Sequence, residues 1–297
     1  MSYPLLFLML VLELERRKIS MAIPSSVISD VPHLREKTAK IGLIGRAAAI
    51  FGVDEIIVYH DLSNFNFKAE ADLIATVLQY METPQYLRKR LFKLRPELRY
   101  VGILPPLRTP HHPIAKRAAD LRVGEYREGV VIAETKKGVL VDIGVEKPAL
   151  IAQTRLPLGK RITVKIENIS GKLTAKLADP EEIPHYWGYK VTVWEGSFGN
   201  LAKNKRFDLK IATSKYGKVL TTIMDAVAER WMKAKTVLIG FGAPDVGLYE
   251  IVRREGLNLD EVVDFVVNTI PGQRTETVRT EEAVIASLAV FNCFLGL

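Results

Sequence analysis

The chain has 297 residues, 48% of them hydrophobic and 26% charged, with one cysteine and a formal charge of +8. That length and apolar content exclude disordered and fibrous classes and suffice for one large domain or a main domain with a smaller companion. A single cysteine excludes a disulfide framework and a multi-cysteine zinc site and points to a reducing cytosolic setting, while the positive charge favours a polyanionic partner.

In chain order, Leu5 to Leu12 is an apolar run followed by Glu13, Glu15, Arg16, Arg17 and Lys18. It is too short to span a bilayer, and its charges fall on the wrong side for a secretory leader. Residues 1–19 therefore read as a cytosolic appendage leading into a first strand, with starts at Met1, Met9 and Met21 all open. From Asp30 or Pro32 the pattern LREKTAKIGLIGRAAAIF reads as a helix, with Gly52 as its left-handed cap, and Glu55 to His60 as a strand. Asp72 to Tyr80 and Gln85 to Leu94 read as helices broken by Pro84, and Tyr100 to Leu104 as a buried strand stopped by Pro105 and Pro106.

Between Gly124 and Asp179 the texture changes to five short β-rich runs, REGVVIAE, GVLVDIGV, PALIA, RITVKIEN and KLTAKLA, separated by turn residues. Five close-spaced strands predict a small antiparallel barrel of OB or S1 type. After it, strands are expected at Tyr189 to Glu195, Leu209 to Thr213, Thr236 to Phe241 and Asp264 to Asn268, with KVLTTIMDAVAERWMKAK as a long helix. The expected organisation is one discontinuous α/β domain, 20–120 and 186–297, whose single sheet is interrupted by an inserted barrel domain, 121–185.

Charge is uneven. Between Pro84 and Arg122 there are ten Lys and Arg against two acids, a net +8. Arg88, Lys89, Arg90, Lys93 and Arg95 in this window, with Lys203, Lys205 and Arg206 in a second one from Gly199 to Lys218, are the candidate nucleic-acid-binding residues. Tyr86, Phe92, Tyr100, Phe207 and Tyr216 interleave with them, as they would where phosphates are neutralised and bases stack. A solvated basic face over core aromatics explains the same pattern, and composition leaves both readings standing.

Three segments carry chemistry. GFGAPDVG, Gly240 to Gly247, leaves an apolar strand for a helix ending near Gly256, so its glycines allow close backbone approach to a ligand. It matches a dinucleotide fingerprint loosely, and Asp245 at the third glycine position would repel a pyrophosphate. Gly217-Lys218 is followed by Val219, so no P-loop is present. In VVNTIPGQRTETVRTEEAVIASLAVFN, a buried strand runs into a Pro-Gly turn, then a loop with Arg274 and Arg279, then a helix with Thr280 as expected N-cap and Glu281 and Glu282 in its first turn. An adenine-reading turn and an ordinary strand-to-helix connection fit that spacing equally. Arg46, one helical turn after Gly42, can lie over the gap that glycine leaves, or be an ordinary surface arginine. His111 and His112, between Pro110 and Pro113, read as a loop, no metal is expected, and Cys293 reads as a small buried hydrophobe.

Together IPSSVISD, RAAAIFGVDEIIVY, TPQYLRKRLF, TPHH, VNTIPGQ and VRTEEAVIASLA resemble the SPOUT superfamily of RNA methyltransferases, in the archaeal and eukaryotic branch with an inserted OB-like domain. The resemblance runs from about Ile23 to the C-terminus. It implies an α/β fold with a C-terminal trefoil knot, S-adenosylmethionine as cofactor, RNA as substrate, and a homodimer with its active site at the subunit interface. It places the cofactor among Gly240, Phe241, Gly242 and Ala243; Asn268, Thr269, Ile270, Pro271, Gly272 and Gln273; and Thr280 and Ala283. Relative to the ribose-2′-O branch, KIGLIGRAAAIFG keeps Gly42, Arg46, Ala48, Phe51 and Gly52 but has Lys40 for the Asn, and Pro244 stands for the Glu of the second motif. VRTEEA is similar instead to the R-T-E-T-A string of uridine-N3 methyltransferases, which favours base methylation of ribosomal RNA. Arg46 and Arg279 are then expected near the reacting groups and Glu281 as a candidate base. A non-catalytic RNA-binding factor that retains the fold is the alternative, and a nucleotide-dependent oxidoreductase, opposed by Asp245, a third.

Overall fold

Six of the seven side chains of the first strand, β1 (Lys18–Pro24), are buried, the pattern of a strand covered on both faces of a parallel sheet. The computed structural model describes residues 17–61, 67–179 and 182–297; the run Leu5 to Leu12 and the starts at Met1 and Met9 lie outside the described residues. Helix α1 (Leu34–Ile50) follows β1 and stops at Phe51. Gly52 then turns the chain in the left-handed region, at φ 66°, as its place after the last apolar turn requires. Strand β2 is Glu55–Tyr59, α2 is Phe67–Glu82, and α3 (Gln85–Leu91) restarts after Pro84.

The strand expected at Tyr100 to Leu104 is absent. Residues Pro96–Leu98 and Val101–Ile103 form two short 3-10 turns instead, closed by local bonds such as Ile103 N–H donating to the Tyr100 carbonyl. An apolar run makes a strand only where a sheet edge accepts its backbone; here Ile103 stays 40% exposed.

All five β-rich runs form strands: β3 (Tyr126–Thr135), β4 (Gly138–Asp142), β5 (Ala149–Ala152), β6 (Arg161–Asn168) and β7 (Thr174–Leu177). They close into a barrel in the order β3-β4-β5-β7-β6. Every pairing is antiparallel except β5 with β7. Alternate side chains, Val131, Val139, Val141, Ile151, Val164 and Ile166 among them, fill the interior. Gly138 is obligatory at the β3–β4 turn, because its φ is 139° and a Cβ would meet the Ile151 carbonyl oxygen.

Beyond the barrel come β8 (Lys190–Trp194), α4 (Phe198–Ala202), β9 (Leu209–Val219), α5 (Met224–Lys233), β10 (Thr236–Gly240), α6 (Leu248–Arg254), α7 (Leu259–Val262), β11 (Phe265–Asn268) and α8 (Thr280–Leu295). The sheet order is β11-β9-β10-β1-β2-β8, with every pair parallel. Three expectations shift. Strand β9 runs past Thr213 to Val219, so the helix expected from Lys218 begins at Met224 after a 3-10 turn at Leu220–Thr222. The N-cap of α8 is Arg279, with Thr280 the first helical residue. Cys293 is exposed, because α8 buries Thr280, Glu281, Val284, Ser287, Leu288 and Phe291 and leaves its opposite face bare.

The chain divides into two compact units. One holds the described residues up to Thr76 together with Tyr189–Leu297, and the other is Val77–Gly188. Residues 77–120 thus group with the barrel rather than with the sheet. The reason is a polar network: Arg161 of β6 pairs with Glu82 at 2.6 Å and with Glu128 at 2.6 Å. Glu128 also accepts from Thr163 Oγ1 and Trp187 Nε1. Among the described residues, no helix is long and apolar enough to cross a membrane.

Candidate functional site

The carboxyl ends of parallel strands are where an open α/β sheet leaves a crevice, and β10 and β11 end around one. A cavity of about 730 Å³ is lined there by Thr213 to Tyr216 midway along β9, by Phe241 to Gly247 after β10, by Asn268 to Ile270 after β11, and by Thr280, Ala283 and Ser287 on α8. That size suits a nucleoside-bearing ligand. Leu257 and Leu259 add apolar lining.

The loop after β10 holds its shape through its own backbone: Ala243 N–H donates to the Val246 carbonyl at 2.9 Å. Gly242 is required, since a Cβ there would press on Gly247 Cα and the Val246 oxygen at 3.0 Å. Thr280 Oγ1 donates to the Gly242 carbonyl at 3.0 Å, tying the start of α8 to this loop. The loop after β11 is set by Asn268, whose Oδ1 accepts from Ile270 N–H at 2.9 Å and whose Nδ2 donates to the Lys215 carbonyl at 3.0 Å. Thr269 Oγ1 and Ser287 Oγ are hydrogen-bonded at 2.7 Å. Side chains far apart in sequence thus lock three loops around one space.

Of the residues named for the cofactor, Phe241, Gly242, Ala243, Asn268, Thr269, Ile270, Gln273, Thr280 and Ala283 line the cavity. Gly240, Pro271 and Gly272 do not. Gly240 is buried under the Phe198 ring, where a Cβ would collide at 2.4 Å. Pro271 and Gly272 are exposed in the turn beyond the wall, Gly272 with φ 71°. Asp245, which argued against a pyrophosphate, does line the cavity.

Arg46, Arg279 and Glu281 are not among the lining residues. Arg46 is half-buried on α1. Arg279 is exposed between Val278 and Thr280, both of which do line the cavity, and its backbone N–H donates to Glu282 Oε2 at 2.9 Å. Glu281 is buried at the start of α8. It lies 3.2 Å from the Lys40 ammonium, which itself is only 4% exposed and bonded to both oxygens of Asp30 at 2.6 and 2.7 Å. This buried ion pair joins α1 to the first turn of α8, and Glu281 Oε2 has no hydrogen-bond partner among the described residues.

The basic windows sort by geometry. Arg88 turns inward, with Nε donating to the Thr83 carbonyl at 2.9 Å and Nη2 to that of Met81 at 3.0 Å, and caps the end of α2. Arg90 is paired with Asp142 at 2.5 Å and Arg206 with Glu55 at 3.3 Å. Lys89, Lys93, Arg95, Lys203 and Lys205 are exposed. Most of the interleaved aromatics belong to the interior: Tyr86 donates its hydroxyl to the Glu128 carbonyl, Phe92 packs edge-on against Tyr80, and Phe207 is buried. Tyr216 differs, being 75% exposed at the cavity.

His111 and His112 both direct Nε2 at the Glu82 carbonyl, at 2.9 and 2.6 Å. Burial, reinforced by the neighbouring His111, lowers the pKa of His112 to about 4. Burial alone would raise Glu82, but hydrogen bonds and charge from His111 and Arg161 outweigh it and hold the carboxyl at about 2. Among the described residues no group of three or more His, Cys, Asp or Glu is placed to hold a metal ion. The cavity wall from Thr213 to Tyr216 and the apolar residues Leu257 and Leu259 were not singled out by sequence reasoning as ligand-binding; Tyr216, flagged only as one of several interleaved aromatics, was the available signal.

Similarity to known proteins accords with this arrangement. A family model described as "Putative RNA methyltransferase" matches residues 18–291. An uncharacterized protein of Haloarcula marismortui is 34% identical over 91% of this chain and 96% of its own length, and one of Halobacterium salinarum is 31% identical with the same coverage. A Homo sapiens protein named 28S rRNA (uridine-N(3))-methyltransferase is 30% identical over 91% of this chain and 77% of its own.

Proposed function

From the premise that this chain belongs to the SPOUT family of RNA methyltransferases, we propose that it binds S-adenosylmethionine in the 730 Å³ cavity and methylates N3 of a uridine in ribosomal RNA. The observation that carries the reading is convergence: three segments noted separately in the sequence, after β10, after β11 and at the start of α8, border one cavity. The residues there fit such a cofactor. Ala243, Val246, Tyr249 and Leu257, half-buried against the core and lining the cavity, offer an adenine an apolar seat. Asp245 on the wall opposes the pyrophosphate of a dinucleotide and tolerates a sulfonium.

The bound cofactor supplies a methyl group already activated by its leaving group. The chain has to hold an unstacked uracil with N3 in line and to disperse the negative charge left on the ring as the N3 proton departs. Arg279, between two cavity-lining residues, is assigned to the uracil carbonyls. Arg46 is assigned to the cavity of a second copy. In this reading Glu281 positions α8 through Lys40 and takes no proton.

A homodimer is supported by the exposed apolar residues of two packed helices, Leu43 and Ile50 on α1 and Ile285 and Phe294 on α8, which a second copy would cover. The barrel order, with its single parallel pair β5–β7, supports an OB-like insertion. The family also implies the trefoil knot through β9, β10 and β11. Exposed Lys89, Lys93, Arg95, Lys203 and Lys205 are assigned to RNA phosphates.

Calorimetric titration with S-adenosylmethionine, S-adenosylhomocysteine and NAD tests the cofactor, with micromolar binding of the first two and none of the third expected. Incubation with unmodified ribosomal RNA, digestion to nucleosides and mass spectrometry then test the acceptor: N3-methyluridine supports the reading and a 2′-O-methyl nucleoside overturns it. Failure of all three ligands to bind, with and without RNA, would transfer the reading to a non-catalytic RNA-binding factor.

A further inference from the structure

Strand β9 does something unusual at the cavity. Its ladder with β11 runs Ile211↔Phe265 and Ala212↔Val266, then resumes at Lys218↔Val267. One step along β11 thus corresponds to six along β9, and the five residues Thr213 to Gly217 bulge out of the pairing. Pairing with β10 also ends at Ala212. Excursions of this kind re-aim side chains beside active sites.

This one is held in place. Thr213 Oγ1 donates to the Gly240 carbonyl at 2.9 Å, and the Lys215 carbonyl accepts from Asn268 of the next loop at 3.0 Å. The return is pinned at Gly217, where a Cβ would come within 2.8 Å of the backbone of Val266 and Val267. At its crest Tyr216 lines the cavity yet remains 75% exposed. The Lys215 ammonium stands 5.2 Å from the centre of its ring. Lys215 and Lys218, both exposed, stand on either side of Tyr216 in the sequence, and no acidic residue occurs from Leu209 to Met224.

A large aromatic ring left in water, on a braced segment, between two exposed lysines and at the mouth of a ligand cavity, matches what an unstacked base needs: a π-face to stack on and cations for its phosphates. We propose that Tyr216 is the stacking platform for the nucleobase presented to the cavity, with Lys215 and Lys218 on the flanking phosphates. The ligand class is a pyrimidine in single-stranded or locally opened RNA. This rests on the reading of the cavity as the methyl-donor site and adds the acceptor's subsite to it.

The test uses the full chain and two probes. A uridine dodecamer carrying one 5-iodouridine is irradiated with the protein and the cross-link mapped by mass spectrometry, and Tyr216→Ala and Tyr216→Phe are assayed for methyl transfer to an unmodified large-subunit ribosomal RNA transcript. Expected are a cross-link at Tyr216, a loss of about tenfold or more in kcat/KM for RNA in the Ala variant, and a change within about twofold in the Phe variant, which keeps the ring. With S-adenosylmethionine held saturating for each variant, the loss should fall on the RNA term and exceed any loss of cofactor affinity in calorimetry. A cross-link confined to other residues, an Ala variant with unchanged kcat/KM, or a loss matched by an equal loss of cofactor affinity overturns the proposal. Should the wild-type chain bind no S-adenosylmethionine and transfer no methyl group, the methyltransferase reading fails by itself, and the position of the cross-link still decides whether Tyr216 meets a base.

Discussion

Two regions of this molecule concentrate polar side chains, and they use them in opposite ways. In the barrel unit, Glu82, Glu128, Arg161, Thr163, His111, His112 and Trp187 bond to one another until almost nothing is left over. Around the cavity of the other unit, hydrogen bonds set the shape of the loops, and the Tyr216 ring stays exposed. A dense charged cluster with perturbed pKa values is therefore no guide to chemistry by itself. The barrel network carries the larger shifts, yet its groups are consumed internally, whereas the cavity is the place with capacity to bind.

That contrast makes predictions of decreasing size. Arg161→Met strands two buried carboxylates, Glu82 and Glu128, and should cost about 3–5 kcal/mol in a urea melt; a variant as stable as wild type would break the comparison. The same network makes the fold acid-sensitive. Glu82 is depressed to about 2 and His112 to about 4. Both therefore contribute stability above their ordinary values that is lost as pH falls, from about 6.5 through 4 for His112 and from about 4.5 to 2 for Glu82. Melting temperature should drop across that window, and the part belonging to the carboxylate should vanish in Glu82→Gln.

Behind the cavity, Lys40→Met leaves Glu281 buried without its cation. It should cost about 2 kcal/mol, less than Arg161→Met because Asp30 is partly exposed and can rehydrate, and should weaken S-adenosylmethionine in calorimetry by loosening the start of α8. Thr280→Val removes one hydrogen bond to the Gly242 carbonyl and should cost about 1 kcal/mol, read as a several-fold rise in cofactor Kd. Arg117→Ala, which breaks an exposed bridge to Asp120, should leave the melt unchanged.

Much of the fold was legible because local pattern and global demand agreed. The barrel strands alternate in hydrophobicity between turn residues, and β1, β2, β10 and β11 are short apolar runs with clear ends. Where tertiary partners decide, the sequence misleads. Tyr100 to Leu104 is apolar enough for a strand but meets no sheet edge. Val219 to Thr222 looks continuous with a helix, though Lys218 and Val219 are claimed by β11. Cys293 sits among apolar neighbours on a helix whose outer face is bare.

The site divides likewise. Its glycine-bearing loops could be read from residue type, because close backbone approach requires glycine. The engagement of Glu281 by Lys40 could not, since it joins side chains from opposite ends of the chain. Nor could the exposure of Tyr216, whose companions in the basic windows, Tyr86, Phe92 and Phe207, share its composition and are turned into the protein. Only the register break on β9 separates it from them.

The central place of β1 has a temporal consequence. Lys18 pairs with Thr236 and Ser20 with Glu55, so β1, made before the barrel, is flanked on one side by a strand that emerges from the ribosome only after the entire barrel. The barrel strands, 126–177, are contiguous in the chain and can close as soon as they are synthesised. The apolar faces of β1 and β2 have to wait, exposed, until residues near 240 arrive. During translation the early half of the sheet is thus the segment that needs protection from aggregation.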